Sequence, residues 1–168
     1  MESTAHPVSP IVIALPSMTV AGISIEANLK QISEELLGRK AYETMLSRRE
    51  ELPEKQSPHL HLVQIYPLKP GFHAQVDAFR QIIGCLVPEG TEPPEGMTVH
   101  TLPPREYVKA THQGPESELG KTYDAIYGQW MQKNGRRPDC FDFEVWDDRY
   151  RPDQEDNEID LYVALAKL

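Results

Sequence analysis

The residues with the clearest chemical content lie in one run near the C-terminus, Cys140-Phe-Asp-Phe-Glu144-Val-Trp146. Strand alternation places Phe141, Phe143 and Val145 on one face and Asp142, Glu144 and Trp146 on the other. With aromatics turned to a core, the carboxylate beside Trp146 is either solvated or at the floor of a pocket. Antiparallel sheets often wet one face, where a glutamate is ordinary. In a pocket, the same group is a negative charge against an aromatic surface. That combination suits a cationic or amphipathic organic molecule. Glu144 and Trp146 are therefore the first candidates for ligand binding.

Other chemistry is sparse. There is no Gly-rich phosphate loop, no Cys-x-x-Cys, no His-x-x-x-His and no G-x-S-x-G elbow. His59 and His61 share a strand face but read as an exposed strand start. His112 reads as a strand-end or capping residue. Cys85 and Cys140 are too few for a disulfide framework and read as buried thiols of a reducing compartment. The acid-dense stretch from Asp147 to Glu158 lacks EF-hand spacing and reads as a solvated loop. No metal and no cofactor is expected.

Acidic residues number 26 against 17 basic in 168 residues, a net charge of -9, which argues against nucleic-acid binding. It is compatible with cationic ligands and with basic protein partners. No run approaches the roughly 20 apolar residues that span a bilayer, and no signal peptide is visible, so a cytoplasmic protein is expected.

The elements that must position Glu144 emerge from period and punctuation. Strands are expected at 11–15, 18–27, 60–66, 78–87, 97–102, 105–112, 140–146 and 159–165. Gly22 marks a bulge or a close backbone approach. Asn28 with Gln31 can cap a helix over about 30–51, with Ile32, Leu36, Leu37, Ala41, Met45 and Leu52 inward. A second helix over 116–132 carries Leu119, Tyr123, Ile126 and Trp130 as one stripe. That stripe makes Tyr123, Tyr127 and Trp130 read first as helix core. Residues 1–9 are expected to be disordered. Pro88–Gly96 holds no apolar residue and reads as a surface connector.

The order strand, helix, strand, strand occurs twice, in halves of about 10–96 and 97–168. The chain thus reads as one domain of the α+β class. Its expected architecture is a tandem βαββ repeat with pseudo-twofold symmetry, antiparallel sheets each covered by one helix, and a ligand groove between the halves. Superposing the third elements sets Gln64 over Glu144 and Tyr66 over Trp146, which adds Tyr66 to the candidates. Tyr162 faces away from the Ile159, Leu161, Val163 and Leu165 stripe. A hairpin between the last two strands would let Glu144, Trp146 and Tyr162 converge on one face. Among those aromatics, Glu144 is expected to titrate abnormally.

The segments Leu102-Pro-Pro-Arg-Glu-Tyr107, His112-Gln-Gly-Pro115, Thr122-Tyr-Asp-Ala-Ile-Tyr127-Gly-Gln-Trp130 and Phe143-Glu-Val-Trp146, with the final strand, resemble the GyrI-like small-molecule-binding family. That family includes the effector-binding domains of AraC-type and MerR-type multidrug-sensing regulators. The opening Leu15-Pro16 and Val20-Ala-Gly-Ile-Ser24 are similar to its first strands, so the resemblance covers nearly the whole chain, closest over 102–165. It implies the tandem βαββ fold. It places the family's buried, cation-meeting glutamate on Glu144, its tyrosine after the Pro-containing turn on Tyr107, and its second-half tryptophan on Trp130. Trp146 stands where the family usually has tyrosine. The candidate ligand-binding set is thus Glu144, Trp146, Tyr107, Tyr162, Trp130, Tyr127 and Tyr66. No helix-turn-helix pattern is present, so direct DNA binding is not implied. The leading expectation is a module that binds an amphipathic, cationic or planar aromatic small molecule and is not an enzyme. A hydrolase of reactive electrophiles using Glu144 and Tyr107 is the alternative, and a protein-interaction module of the gyrase-inhibitor type a third.

Overall fold

The computed structural model describes residues 10–52 and 58–167, and the expectation of disorder at 1–9 lies outside them. Eight strands are described: β1 (Ile11–Leu15), β2 (Met18–Ala27), β3 (Leu60–Ile65), β4 (Phe79–Val87), β5 (Thr98–Leu102), β6 (Arg105–Gln113), β7 (Pro138–Trp146) and β8 (Glu158–Leu165). Each lies within a residue or two of the stretch that alternation marks out. The chain divides into two compact units, residues 1–15 with 105–168, and residues 16–104.

The second of these units, 16–104, is an antiparallel sheet ordered β3-β4-β2-β5. Its helices, α1 (Leu29–Glu34) and α2 (Leu37–Arg48), come directly after β2. Asn28 caps α1 as expected: the Gln31 N–H donates to Asn28 Oδ1 at 2.8 Å and the Asn28 N–H donates to Gln31 Oε1 at 3.0 Å. The single helix expected over 30–51 is broken at Leu36, which adopts a left-handed conformation with φ 55°. Leu36 is consequently 53% exposed rather than in the core, and only Ala41 and Met45 of α2 are buried. Where β2 and β4 pair at Gly22 and Gly84, a Cβ on Gly22 would stand 2.0 Å from the Ile83 carbonyl oxygen, so the expected close approach is real. Pro88–Gly96 is a largely exposed loop, but it joins β4 to β5 inside this unit and does not link the halves.

The unit made of 1–15 and 105–168 is an antiparallel sheet ordered β1-β6-β8-β7. Between β6 and β7 the chain is helical almost throughout. A 3-10 turn (Glu116–Glu118) leads into α3 (Leu119–Asp124), then a π-helical segment (Ala125–Trp130), then α4 (Met131–Lys133). Gly135, at φ 62°, lies just past the end, as expected of a C-terminal cap. The strand, helix, strand, strand motif is thus present twice with the same internal order, β3-β4-β2 and β7-β8-β6. Each motif carries one added edge strand, and these are exchanged: β1 pairs with β6 and β5 pairs with β2. The unit boundaries therefore fall at 15/16 and 104/105 rather than near 96/97. No helix among the described residues is long and apolar enough to cross a membrane.

Candidate functional site

Apart from Tyr66, the acids and rings of the candidate site belong to the unit holding β6, β7 and β8. Register fixes which side chains meet. Glu144 pairs with Leu161 and Phe143 with Tyr162 across β7 and β8. Opposed residues share a face, so Glu144 and Asp142 stand with Leu161 and Val163, and Tyr162 stands with Phe143. This corrects the expected convergence of Glu144, Trp146 and Tyr162. The hairpin forms, but its register puts the last tyrosine on the other side of the sheet. Tyr107 joins Tyr162 there. Its ring meets Phe141, Phe143 and Tyr162 edge-on at 6.0, 5.3 and 6.2 Å, while Phe143 and Tyr162 stack at 4.5 Å. Lys109 Nζ lies 5.7 Å from the Tyr162 ring centroid. The Tyr107 hydroxyl is buried with no hydrogen-bond partner among the described residues, and burial pushes its pKa up to about 12.

The Glu144 face is covered by the helical segment instead. The 3-10 turn and α3 are pinned to β6 through His112, which is fully buried. Its Nε2–H donates to the Pro115 carbonyl at 3.0 Å, which leaves Nδ1 to accept the Thr122 hydroxyl at 2.6 Å. The π-helical segment sets the facing of the next two turns. Their buried ridge is Thr122, Ile126 and Met131, with a five-residue second step. The wider winding replaces the expected stripe ending at Trp130, which is half-buried at the end of that segment. Tyr123 and Tyr127 thereby stand side by side, their rings 6.2 Å apart and 25° from parallel.

Both hydroxyls reach the acids of β7. Tyr123 donates to Glu144 Oε2 at 2.5 Å, and Tyr127 donates to Asp142 Oδ2 at 2.7 Å. The other oxygen of Glu144 accepts the Trp146 indole N–H at 2.9 Å. Trp146 is stacked on Tyr150 at 4.6 Å and 4°, and Tyr150 donates to Glu116 Oε2 at 3.0 Å. Glu144 is thus a carboxyl 2% exposed, held between two stacked aromatic pairs. Desolvation raises its pKa to about 8, the nearby Glu116 and Asp142 charges add to the rise, and the Tyr123 and Trp146 hydrogen bonds oppose it. Burial likewise drives the Tyr127 hydroxyl well above the ordinary tyrosine range.

The candidates therefore separate. Glu144, Trp146 and Tyr127 are brought together; Tyr107 and Tyr162 share the opposite face; Tyr66 lies in the other unit, packed with Phe72 and Phe79 at 5.7 and 5.3 Å. Gln64, set over Glu144 by the repeat, is a buried amide that accepts a hydrogen bond from Gln81 Nε2 at 2.9 Å, so the repeat carries its acid on one side alone. Tyr123, Asp142, Tyr150 and Glu116 are additions. Asp142 was visible as the same-face neighbour of Glu144, and Tyr123 as its helix counterpart four residues before Tyr127. Nothing in the sequence signalled Tyr150, whose place depends on the loop after β7. That loop is tied by ion pairs rather than simply solvated: Arg149 reaches Asp147 and Asp160 at 2.8 Å and Glu158 at 3.1 Å. Cys140 is half-buried rather than buried. No group of three or more His, Cys, Asp or Glu suited to holding a metal occurs among the described residues.

A family model described as integron-associated effector binding protein matches residues 12–165. The chain belongs to that family. Effector binding in a GyrI-like domain is accordingly its coarse function, and the α+β fold agrees with that of its structural neighbours. Over 89 residues the chain is 33% identical to the transcriptional regulator BrlR of Pseudomonas aeruginosa, covering 52% of this chain and 33% of that protein. The chain thus spans about a third of the length of the curated relative it matches. Two solved structures share the fold over nearly their whole length. SAV2435 bound to tetraphenylphosphonium is 16% identical with a TM-score of 0.67, covering 95% of this chain and 94% of that one. An integron cassette protein of the Vibrio cholerae mobile metagenome is 10% identical with a TM-score of 0.64, covering 98% and 100%.

Proposed function

We propose that this effector-binding domain recognises an amphipathic organic cation with an aromatic body, and that Glu144 is its counter-charge. The observation that supports this reading is a nearly inaccessible carboxyl framed by the Tyr123–Tyr127 and Trp146–Tyr150 stacks. A buried carboxylate is costly without a partner, so the ligand-free site holds its proton near neutral pH. An organic cation removes that cost. It replaces the proton as the counter-charge, while its apolar body lies against rings that favour cations over their faces. A hydrated metal ion would need more oxygen ligands than two tyrosine-bonded carboxyls supply. The tetraphenylphosphonium bound by SAV2435 is a cation of this chemistry held by the same fold. Thermal unfolding in rising tetraphenylphosphonium tests the reading. A ligand at 100 times its Kd should add about 2.7 kcal/mol of stability. An unfolding temperature that does not move with any of a panel of aromatic cations contradicts it.

A further inference from the structure

We infer that the site is built for a dication, with Asp142 as a second charge-recognising residue beside Glu144. This deepens the proposed function and rests on it. Asp142 is fully buried, and Glu144 is 2% exposed, so both acids are committed to the interior of one face. They are two residues apart in an unbroken stretch of ladder, Asp142 on Val163 and Glu144 on Leu161. Two strand residues rise about 6.7 Å, which sets the spacing of the two acids along β7. Each has its own tyrosine from the helical segment, and the two tyrosine rings are stacked on one another. The arrangement is thus one unit repeated at strand spacing: a carboxyl, a phenol bonded to it, and a ring face beside it. A single buried acid suffices for a monocation. A second acid at the same depth repels the first, as the upward push of Asp142 on Glu144 records. In the empty site a proton relieves that repulsion; in the occupied site, with both acids ionised, two positive charges relieve it. A flat aromatic dication with charges roughly two strand residues apart meets both acids while its body lies along the tyrosines.

Methyl viologen is such a probe, and N-methyl-4-phenylpyridinium is a monocation of nearly the same shape. Calorimetric titration of the unmodified protein with each should show methyl viologen bound at least about tenfold more tightly. Asp142→Asn keeps an acceptor for Tyr127, so it should cut methyl viologen binding by about tenfold or more and shift the monocation by less than about threefold. Glu144→Gln should weaken both. Equal affinity of the unmodified protein for the two probes overturns the inference and leaves the monocation reading standing. So does an equal loss of both on Asp142→Asn. Binding of neither probe overturns the inference together with the reading it rests on. The comparison on the unmodified protein decides the matter even if the aspartate variant fails to fold.

Discussion

Glu144→Gln should make the ligand-free protein more stable, by an amount that grows with pH. The carboxyl titrates near 4.5 in the unfolded chain and at about 8 in the folded one. Below pH 4.5 it is protonated in both states and contributes fully. Between 4.5 and 8 the unfolded state sheds the proton that the folded state keeps, so stability falls as pH rises, by about 1.4 kcal/mol per pH unit. At pH 7 the accumulated cost is roughly 3 kcal/mol, and above pH 8 it levels near roughly 5 kcal/mol. Glutamine avoids all of it. Its oxygen still accepts the Trp146 N–H, and its amide can donate to the Tyr123 oxygen, so the exchange sacrifices about 1 kcal/mol of hydrogen bonding. The variant should then be near parity or slightly weaker around pH 5, about 2 kcal/mol more stable at pH 7, and about 4 kcal/mol more stable at pH 9. Urea unfolding of both proteins at those three pH values measures the difference; groups remote from the site cancel between them, while Asp142 and Glu116, coupled to Glu144, respond with it. A gap that does not widen with pH, or a variant less stable at pH 9, would mean that Glu144 is not held protonated by burial.

The same titration governs binding. Affinity for an aromatic monocation should rise up to tenfold per pH unit below about pH 8 and level above it, because the ligand exchanges for one proton; calorimetry from pH 6 to 9 reads this, and a flat profile contradicts it. Leu36→Asn should stabilise by roughly 0.5–1 kcal/mol, since asparagine tolerates the left-handed conformation that leucine holds at φ 55° with its side chain exposed. Leu36→Val should do the opposite, and the two urea midpoints decide. Gly22→Ala should cost roughly 3 kcal/mol or abolish folding, because its Cβ would meet the backbone of Ile83 and Gly84 rather than a side chain that can move. A wild-type midpoint for that variant would mean that β2 and β4 lie farther apart.

What the sequence made legible was whatever depends on period two and on punctuation. Alternation placed all the strands and put Phe143 opposite Glu144 in facing, and Asn28 with Gln31 marked the helix start. Register between strands was not legible, because Tyr162 suits either face until the pairing of Glu144 with Leu161 is known. The exchange of β1 and β5 between units was hidden for the same reason: short apolar strands such as Ile11–Leu15 do not name their neighbours. The helix expected over 30–51 breaks at Leu36, whereas its one glycine, Gly38, lies inside α2. The π-helical segment shifts the buried ridge to Met131, a change of winding that composition does not encode. Glu144 itself was legible as an acid on an aromatic strand, but its partner Tyr123, and Tyr150 stacked on Trp146, come from elements whose placement only tertiary packing fixes.

Charge recognition by Glu144 can be separated from shape by titrating the protein and Glu144→Gln with tetraphenylphosphonium and with its neutral isostere tetraphenylmethane derivatised for solubility. The variant should lose on the order of 2–5 kcal/mol for the cation, roughly 30-fold to several-thousand-fold in Kd, and little for the neutral compound. Equal losses for the two compounds, or none for the cation in a folded variant, would contradict it.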